Sequence, residues 1–260
     1  MKNAIILLIL LQFTHVAIGQ EQDKAKTFTY DPKLDLYEAD KEVVTQLGDN
    51  LGMKLMLIDQ EEGEPMPLHA HPPYHSYYFY EGEKGEAQFG DIIWGKVDLP
   101  VPFGGIEGPA STAPHSGPIN TSQTHIKCID LDIYNRSEMG TSKLFEYDPK
   151  KDLYNLKSAA VKQLSDTLGI KMYLLILKPN DSIALNQFNH PKHAVFVMEG
   201  GRIERSPSHP SLKNVESFYK TEMGAIRNAT KFRETKDKYY IKNIDDHDIK
   251  LWFTDVYPEE

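Results

Sequence analysis

Hydrophobic positions along this chain fall mostly in short runs that are separated by polar turn residues. The clearest runs are residues 54–58, 76–80, 126–133, 171–177 and 194–198. Their apolar, β-branched and aromatic side chains predict β-strands. Helical periodicity is scarce and is indicated only at residues 158–168. Many short strands separated by Gly- and Pro-rich loops predict an all-β fold, either a barrel or a jelly roll.

The same pattern occurs twice in the chain. Residues 28–37, FTYDPKLDLY, return as FEYDPKKDLY at residues 145–154, and both copies end on an Asp-x-Tyr sequence. A fixed offset over so long a span predicts an internal duplication. We therefore expect two domains, an N-terminal one at residues 20–138 and a C-terminal one at residues 139–260.

The first 19 residues have the pattern of a signal peptide. A positively charged start precedes the apolar run at residues 4–11, and the small residues Ala17 and Gly19 fit a cleavage site. The run is shorter than the roughly 20 residues that span a bilayer. We therefore expect a secreted, extracellular protein. Four Asn-x-Ser/Thr sequences are candidate glycosylation sites in such a chain, at Asn120, Asn135, Asn180 and Asn228.

The composition limits the classes of partner that we expect and excludes an intrachain disulfide as a source of stability. The chain has 29 Lys and Arg against 38 Asp and Glu, a formal net charge of −9, and it lacks basic clusters. This balance argues against nucleic acid or an anionic membrane as partner. Cys128 is the only cysteine, so an intrachain disulfide is excluded. Cys128 lies in a strand-like run and is predicted to be a small buried residue.

Three histidines stand at intervals typical of a metal site. In the sequence LHAHPPYH, His69 and His71 alternate on one predicted strand, so both side chains point to the same face. The Pro-Pro turn lets the chain return, and His75 begins the next strand. Imidazole nitrogens bind zinc, copper, iron and nickel well. We therefore predict that these histidines bind one divalent transition metal ion.

This spacing resembles the first motif of the cupin superfamily, which is glycine, five residues, His-x-His, three or four residues, glutamate, six residues and glycine. His75 stands where that family usually has the glutamate. Residues 104–120 resemble a degenerate second motif, in which His115 is the best-placed further ligand and His125 a poorer one. The resemblance covers both copies and implies two tandem cupin jelly-roll barrels. The implied metal ligands are His69, His71, His75 and His115.

The second copy has lost most of these histidines. Alignment of the two copies places Gln187 and Asn189 at the first two ligand positions and keeps only His193 at the third. It shifts His190 onto the turn and brings Lys238 near the fourth position. The C-terminal barrel is therefore predicted to be structural, with one metal ion per chain.

Four neutral imidazoles leave the full charge of the metal in place. Such a site favours anionic or enolisable ligands, acts as a Lewis acid and acidifies a bound water towards about pH 7. The ligand type favours zinc, with iron, copper or nickel as alternatives. Tyr77 shares the strand parity of His75 and should point inward, either as a catalytic proton donor or base or as a packing residue. Phe79 has the same parity and should line an apolar wall.

The resemblance to cupins leaves three functions open. The favoured one is a metal-dependent lyase, cyclase or isomerase acting on a small oxygenated or enolisable substrate. The second is a ring-opening dioxygenase similar to the quercetinase and gentisate cupins. The third is a non-catalytic secreted ligand- or metal-binding protein, similar to the germin-like and auxin-binding cupins. The expected partner is a small molecule, and a homodimer is considered because cupins often assemble.

Overall fold

The structure, a computed structural model, covers most of the chain beyond the predicted signal peptide. It describes residues 30–89, 92–98, 102–108, 114–117, 119–134, 136, 148–184, 187–206, 215–229 and 240–257. The predicted signal peptide at residues 1–19, the predicted domain junction at residues 138 and 139, Asn135 and Lys238 lie outside these ranges. None of the helices within them is long and apolar enough to cross a membrane.

The N-terminal half is built from short strands. A four-residue helix, α1 (Leu36–Ala39), precedes β1 (Val44–Asn50), β2 (Met53–Gln60), β3 (Leu68–His69), β4 (Tyr74–Glu81), β5 (Lys84–Phe89), β6 (Ile92–Asp98), β7 (Phe103–Glu107), β8 (His115–Ser116), β9 (Ile119–Asn120) and β10 (Ile126–Ile133). The large antiparallel sheet has the order β1-β2-β10-β4-β7, and the smaller sheets are β3-β8 and β6-β5-β9.

The C-terminal half repeats this arrangement. Its strands are β11 (Val161–Thr167), β12 (Ile170–Leu177), β13 (Ser182–Ile183), β14 (Lys192–Glu199), β15 (Gly201–Ser206), β16 (Val215–Tyr219), β17 (Met223–Arg227), β18 (Tyr240–Asn243) and β19 (Ile249–Val256). The large sheet, β11-β12-β19-β14-β17, has the same strand order as the first, and a second sheet has the order β13-β18-β15-β16. The all-β architecture of two tandem jelly-roll domains is thereby confirmed.

The indication of a helix at residues 158–168 was wrong. This segment contains β11, which pairs with β12 in an antiparallel register. The register shifts between Gln163 and Ser165, so that one extra residue interrupts the alternation of inward and outward side chains. Two consecutive half-buried positions result, and they imitate the spacing of a helix.

One face of each large sheet packs against the other sheet in a shared core. The buried side chains of this core are Met53, Leu55, Leu57, Tyr78, Ile129, Leu131, Ile133, Ile170, Met172, Leu174, Ala194, Phe196, Ile226, Trp252 and Val256. They occupy alternate positions of the strands, as a sheet with one buried face requires. The opposite face of each large sheet lines the interior of its own barrel. The candidate site lies in the interior of the N-terminal barrel.

Candidate metal centre

The interior of the N-terminal barrel is polar where β4 and β10 meet. Pairing of these strands sets Asp132 opposite His75 and Asp130 opposite Tyr77. His75, Asp130 and Asp132 are almost completely buried. Polar side chains are rarely buried in this number unless they bind one another or a ligand. This part of the barrel is therefore the candidate functional site.

The four histidines predicted as metal ligands lie together in this barrel. Ring centroids are 4.5 Å apart for His69 and His115, 5.0 Å for His69 and His71, and 4.0 Å for His71 and His75. His69 and His115 face each other across β3 and β8. Ligand atoms of His69, His71 and His115 lie within 4.8 Å of one another. The poorer alternative, His125, is instead exposed and bonded through Nδ1 to Asp59 Oδ1 at 2.6 Å.

Hydrogen bonds orient two of these rings for metal binding. His69 Nδ1 lies 2.8 Å from the Pro67 carbonyl oxygen, and His71 Nδ1 lies 2.8 Å from Asp132 Oδ1. A carbonyl oxygen can only accept, so His69 Nδ1 carries the proton and its Nε2 keeps a lone pair. The bond between His71 and Asp132 is of the carboxylate–histidine kind that supports metal ligands. His75 Nδ1 is buried and unpartnered within the described ranges. The imidazole nitrogens of this cluster fit the ligand preference of a divalent transition metal ion.

Residues 30–35 of the repeated segment hold the part of the chain between His69 and His71. Between them, the Ala70 amide donates to the Leu34 carbonyl oxygen at 2.7 Å. Asp35, next to Leu34, accepts from Lys54 Nζ at 2.7 Å and from the hydroxyls of Tyr30 at 2.6 Å and Tyr134 at 2.8 Å. The repeated segment is therefore a structural clamp beside the site, and this structural role explains why it occurs in both halves.

Two carboxylates at the site, Asp130 and Asp132, were not predicted as site residues from the sequence. A second group of ligand atoms within 4.8 Å of one another belongs to His71, His75 and Asp130. Burial, followed by the charge of Asp132, raises the pKa of Asp130 well above its ordinary value, and burial also raises the pKa of Asp132. A cation beside them would offset the cost of burying their charge. Their sequence signal was two acidic residues at alternate positions of an apolar strand.

Tyr77 points inward, as predicted, beside His75. The two ring centroids are 5.8 Å apart. Burial raises the pKa of Tyr77, and the nearby Glu107 raises it further. The phenol is therefore neutral near pH 7, which suits a proton donor rather than a base. Phe79 stacks on Phe103 with centroids 4.9 Å apart, forming an aromatic wall next to Tyr77.

The alignment of the C-terminal histidines was wrong by one residue. The isolated bridge between Asp35 and Ala70 has its counterpart between Asp152 and Asn189. Asn189 therefore corresponds to Ala70, which places Phe188 rather than Gln187 at the position of His69. His190 likewise takes the position of His71 and is buried rather than displaced onto the turn. A turn one residue shorter in the second copy causes the shift.

His193 occupies the position of His75, because it pairs with Asp255 as His75 pairs with Asp132. With His190 and Asp255 it forms a third group of ligand atoms within 4.8 Å of one another. Aromatic rings fill the space beside this group, where Tyr173 stacks on Phe253 with centroids 5.2 Å apart. The Tyr173 hydroxyl also donates to Asp255 Oδ2 at 3.2 Å. The C-terminal barrel thus keeps part of the polar set in an aromatic interior.

The candidate glycosylation sites differ in accessibility. Asn120 is fully buried, and its Nδ2 donates to the carbonyl oxygens of Gln60 at 3.0 Å and Thr124 at 2.7 Å. This nitrogen is not available for a glycan in the folded chain. Asn180 and Asn228 are exposed. Asn120 is therefore withdrawn as a glycosylation site, while Asn180 and Asn228 stay predictions.

Buried histidines predict a loss of stability on acidification. Burial, followed by neighbouring histidines, lowers the pKa of His69, His71 and His190 to about 3. In an unfolded chain the value is about 6.5. The unfolded chain therefore binds more protons between these values, so the stability present above about pH 6.5 is lost as the pH falls towards 3.

For protein treated with a chelator, urea unfolding at pH 7, 6 and 5 should give a steadily smaller free energy of unfolding. Buried aspartates with a raised pKa oppose this loss, but in the described part of the chain the three of them are outnumbered by five buried histidines with a lowered pKa. The aspartates are Asp130, Asp132 and Asp255, and the histidines are His69, His71, His75, His190 and His193. Each such histidine contributes up to about 1.4 kcal/mol per pH unit. In a His190→Gln variant, the slope of the free energy of unfolding against pH should be smaller by the contribution of about one bound proton. A free energy that does not change between pH 7 and pH 5 would contradict the prediction.

Comparisons with known proteins identify the fold. No family model matches the chain, and no curated protein sequence matches it. Among solved structures, the vicilin from Solanum melongena is 9% identical, with 80% of this chain and 76% of the vicilin covered and a TM-score of 0.52. The oxalate decarboxylase from Bacillus subtilis is 11% identical, with 80% of this chain and 70% of the decarboxylase covered and a TM-score of 0.49.

A cupin 2 conserved barrel domain protein from Leptotrichia buccalis is 15% identical, with 82% of this chain and 88% of that chain covered and a TM-score of 0.40. At these identities the similarity concerns the fold. The similarity to the vicilin agrees with the repeated strand order and with two sheets packed across a shared core. The chain therefore shares its fold of two tandem jelly-roll barrels with the vicilin from Solanum melongena.

Proposed function

We propose that this chain is a secreted metal-dependent enzyme, whose N-terminal barrel binds one divalent metal ion through His69, His71, His75 and His115. The observation that carries the proposal is the convergence of four histidines inside one barrel, two of them with Nδ1 already bonded to an acceptor. Zinc is the metal we favour, because it accepts imidazole ligands and has no redox requirement.

The proposed reaction is Lewis-acid chemistry on a small oxygenated or enolisable substrate, of the lyase, cyclase or isomerase type. A bound divalent ion would polarise a substrate oxygen. Tyr77 is the proposed proton donor, because its phenol is neutral, largely buried and close to His75. The stacked rings of Phe79 and Phe103 would exclude water from one side of the substrate.

A small-molecule partner agrees with the charge and burial of the site. The net charge of −9 disfavours nucleic acid and anionic membranes. Secretion is proposed because residues 1–19 have the pattern of a signal peptide. A homodimer is also proposed, because cupins often assemble. The exposed Asn180 and Asn228 are the proposed glycan carriers.

The first experiment is elemental analysis of three proteins, which are the wild type, His69→Ala/His71→Ala and His190→Ala/His193→Ala. We expect about one equivalent of zinc in the wild type, its loss in the first variant and its retention in the second, because the second changes only the aromatic-filled barrel. Two equivalents in the wild type would contradict a single site. No metal in the wild type would remove the basis of the proposal.

A ring-opening dioxygenase is the second candidate. The observation that favours it is the group of His71, His75 and Asp130. Two histidines with one carboxylate are the ligand set of non-haem iron oxygenases. Iron in the purified protein, together with oxygen uptake on an enolic or catecholic substrate, would select this function. Turnover under anaerobic conditions would select the Lewis-acid enzyme.

A further inference from the structure

We propose that the carboxylate of Asp130 is an additional metal ligand of the N-terminal barrel. The inference rests on the proposed metal site and extends it to a residue outside both histidine motifs. Asp130 would supply the negative charge that the site lacks because His75 stands at the position of the family's glutamate. Its ligand class is a divalent transition metal ion.

The position of Asp130 brings its carboxylate to the histidine cluster. It lies on the inward face of β10, opposite Tyr77 of β4 and Met56 of β2. Its Oδ1 lies 4.0 Å from His71 Nδ1, and the residue is 3% exposed. Its group of ligand atoms includes His71 and His75, whose ring centroids are 4.0 Å apart. The His71 ring lies 5.0 Å from His69 and 5.3 Å from His115, so Asp130 adjoins the four-histidine cluster.

One oxygen of this carboxylate also lacks a hydrogen-bond partner within the described ranges. Asp130 Oδ1 is buried without a hydrogen-bond partner there. A buried carboxylate oxygen in this state is costly unless a proton or cation meets it. Asp132, two residues further on, also has a buried oxygen without such a partner in these ranges, Oδ2, but its Oδ1 accepts from His71 Nδ1 at 2.8 Å. Asp132 is thus suited to orient His71, whereas Asp130 is suited to bind the metal.

The duplicated chain provides an internal comparison. By strand register, Asp132 corresponds to Asp255, and both barrels keep this carboxylate. Asp130 corresponds instead to Phe253, whose neighbour Tyr173 stands at the position of Met56. The carboxylate at this position is therefore present in the barrel with four clustered histidines and absent from the barrel with two. This difference between the two barrels supports a role of Asp130 at the metal and of Asp132 in the common fold.

A carboxylate ligand changes the chemistry expected of the site. It reduces the net charge of a divalent centre from two to one, which weakens the preference for anionic substrates. It also widens the range of metals that the site accepts, because oxygen ligands suit manganese and iron better than an all-imidazole set does. Metal identity in the native protein then depends on Asp130 as well as on the histidines.

The test is titration of apoprotein with Zn²⁺ and Co²⁺, comparing the wild type, Asp130→Asn and Asp255→Asn. The asparagine variants are nearly isosteric, and Asp255 is a matched control because it is an equally buried strand aspartate in the other barrel. We expect Asp130→Asn to raise the Kd by at least about 10-fold and to change the visible spectrum of bound Co²⁺. Asp255→Asn should leave both unchanged.

Two negative outcomes are distinguishable. Equal Kd values and identical Co²⁺ spectra for the wild type and Asp130→Asn would overturn the role of Asp130 while leaving the four-histidine site in place. A wild type that binds neither metal would overturn the proposed function and this inference together.

A second measurement uses the wild type alone, in case Asp130→Asn does not fold. Infrared difference spectra on adding Zn²⁺ should show a shifted carboxylate band that moves further when aspartate is labelled with carbon-13. A difference spectrum without any label-sensitive carboxylate band would overturn the inference.

Discussion

Replacing His71 by alanine is expected to lower the affinity for the metal by more than about 100-fold. Loss of a residue that merely supports a ligand already costs about 10- to 100-fold, and His71 is shared by both groups of ligand atoms in the N-terminal barrel. Its removal also leaves Asp132 Oδ1 without the imidazole that donates to it. Titration of apoprotein with Zn²⁺ and a competing chelator measures the change.

His190→Ala is the matched control for this substitution. His190 occupies the position of His71 in the C-terminal barrel and is similarly buried, so its truncation removes the same atoms from the other half. We expect an unchanged Kd for this control. Wild-type affinity in His71→Ala would show that the histidine cluster does not bind the metal.

Replacing Lys54 by methionine is expected to destabilise the protein by about 3–5 kcal/mol, the usual cost of breaking a buried ion pair from one side. Lys54 Nζ lies 2.7 Å from Asp35 Oδ2, and both side chains are at most 10% exposed. Burial opposes ionisation of Asp35, but hydrogen bonds from Lys54, Tyr30 and Tyr134 outweigh it and lower its pKa. Without the ammonium group, the buried carboxylate has lost its cationic partner.

Urea unfolding of the metal-free protein measures this effect separately from metal binding. Lys41→Met is the control, because Lys41 forms an exposed pair with Glu38 that is expected to contribute less than about 1 kcal/mol. The double variant Lys54→Met/Asp35→Asn should recover part of the lost stability, since it removes both charges and keeps an oxygen that can accept from the tyrosine hydroxyls and the Tyr37 amide. A loss below about 1 kcal/mol in Lys54→Met would show that the ion pair is not needed by the clamp beside the histidine strand.

Much of the fold could be predicted because its signals are local or repeated. Short apolar runs indicated inner strands of both sheets, such as β10 and β14, and the returning YDPK motif indicated the duplication. The exception was β11, where an irregular register disturbs the alternation on which strand prediction depends. The alignment of the second histidine set also failed, because a turn differs by one residue between the copies.

At the candidate site, the local part was predictable and the long-range part was not. His69, His71 and His75 lie within seven residues, so their spacing alone showed which side chains share a face. Asp132 is 61 residues from His71, and its contact with the imidazole depends on the pairing of β10 with β4. No local pattern records that pairing.

The sequence by itself therefore determined the strand content, the duplication and the histidine cluster, because backbone alternation and side-chain type are properties of neighbouring residues. Only the tertiary structure decided which carboxylates join the histidines and which aromatic rings take their place in the other barrel. It placed Asp130 beside His71 in one half and the stacked rings of Tyr173 and Phe253 at the matching positions of the other. The physical reason is that barrel interiors are assembled from strands distant in sequence, whose register is set by packing of the whole sheet.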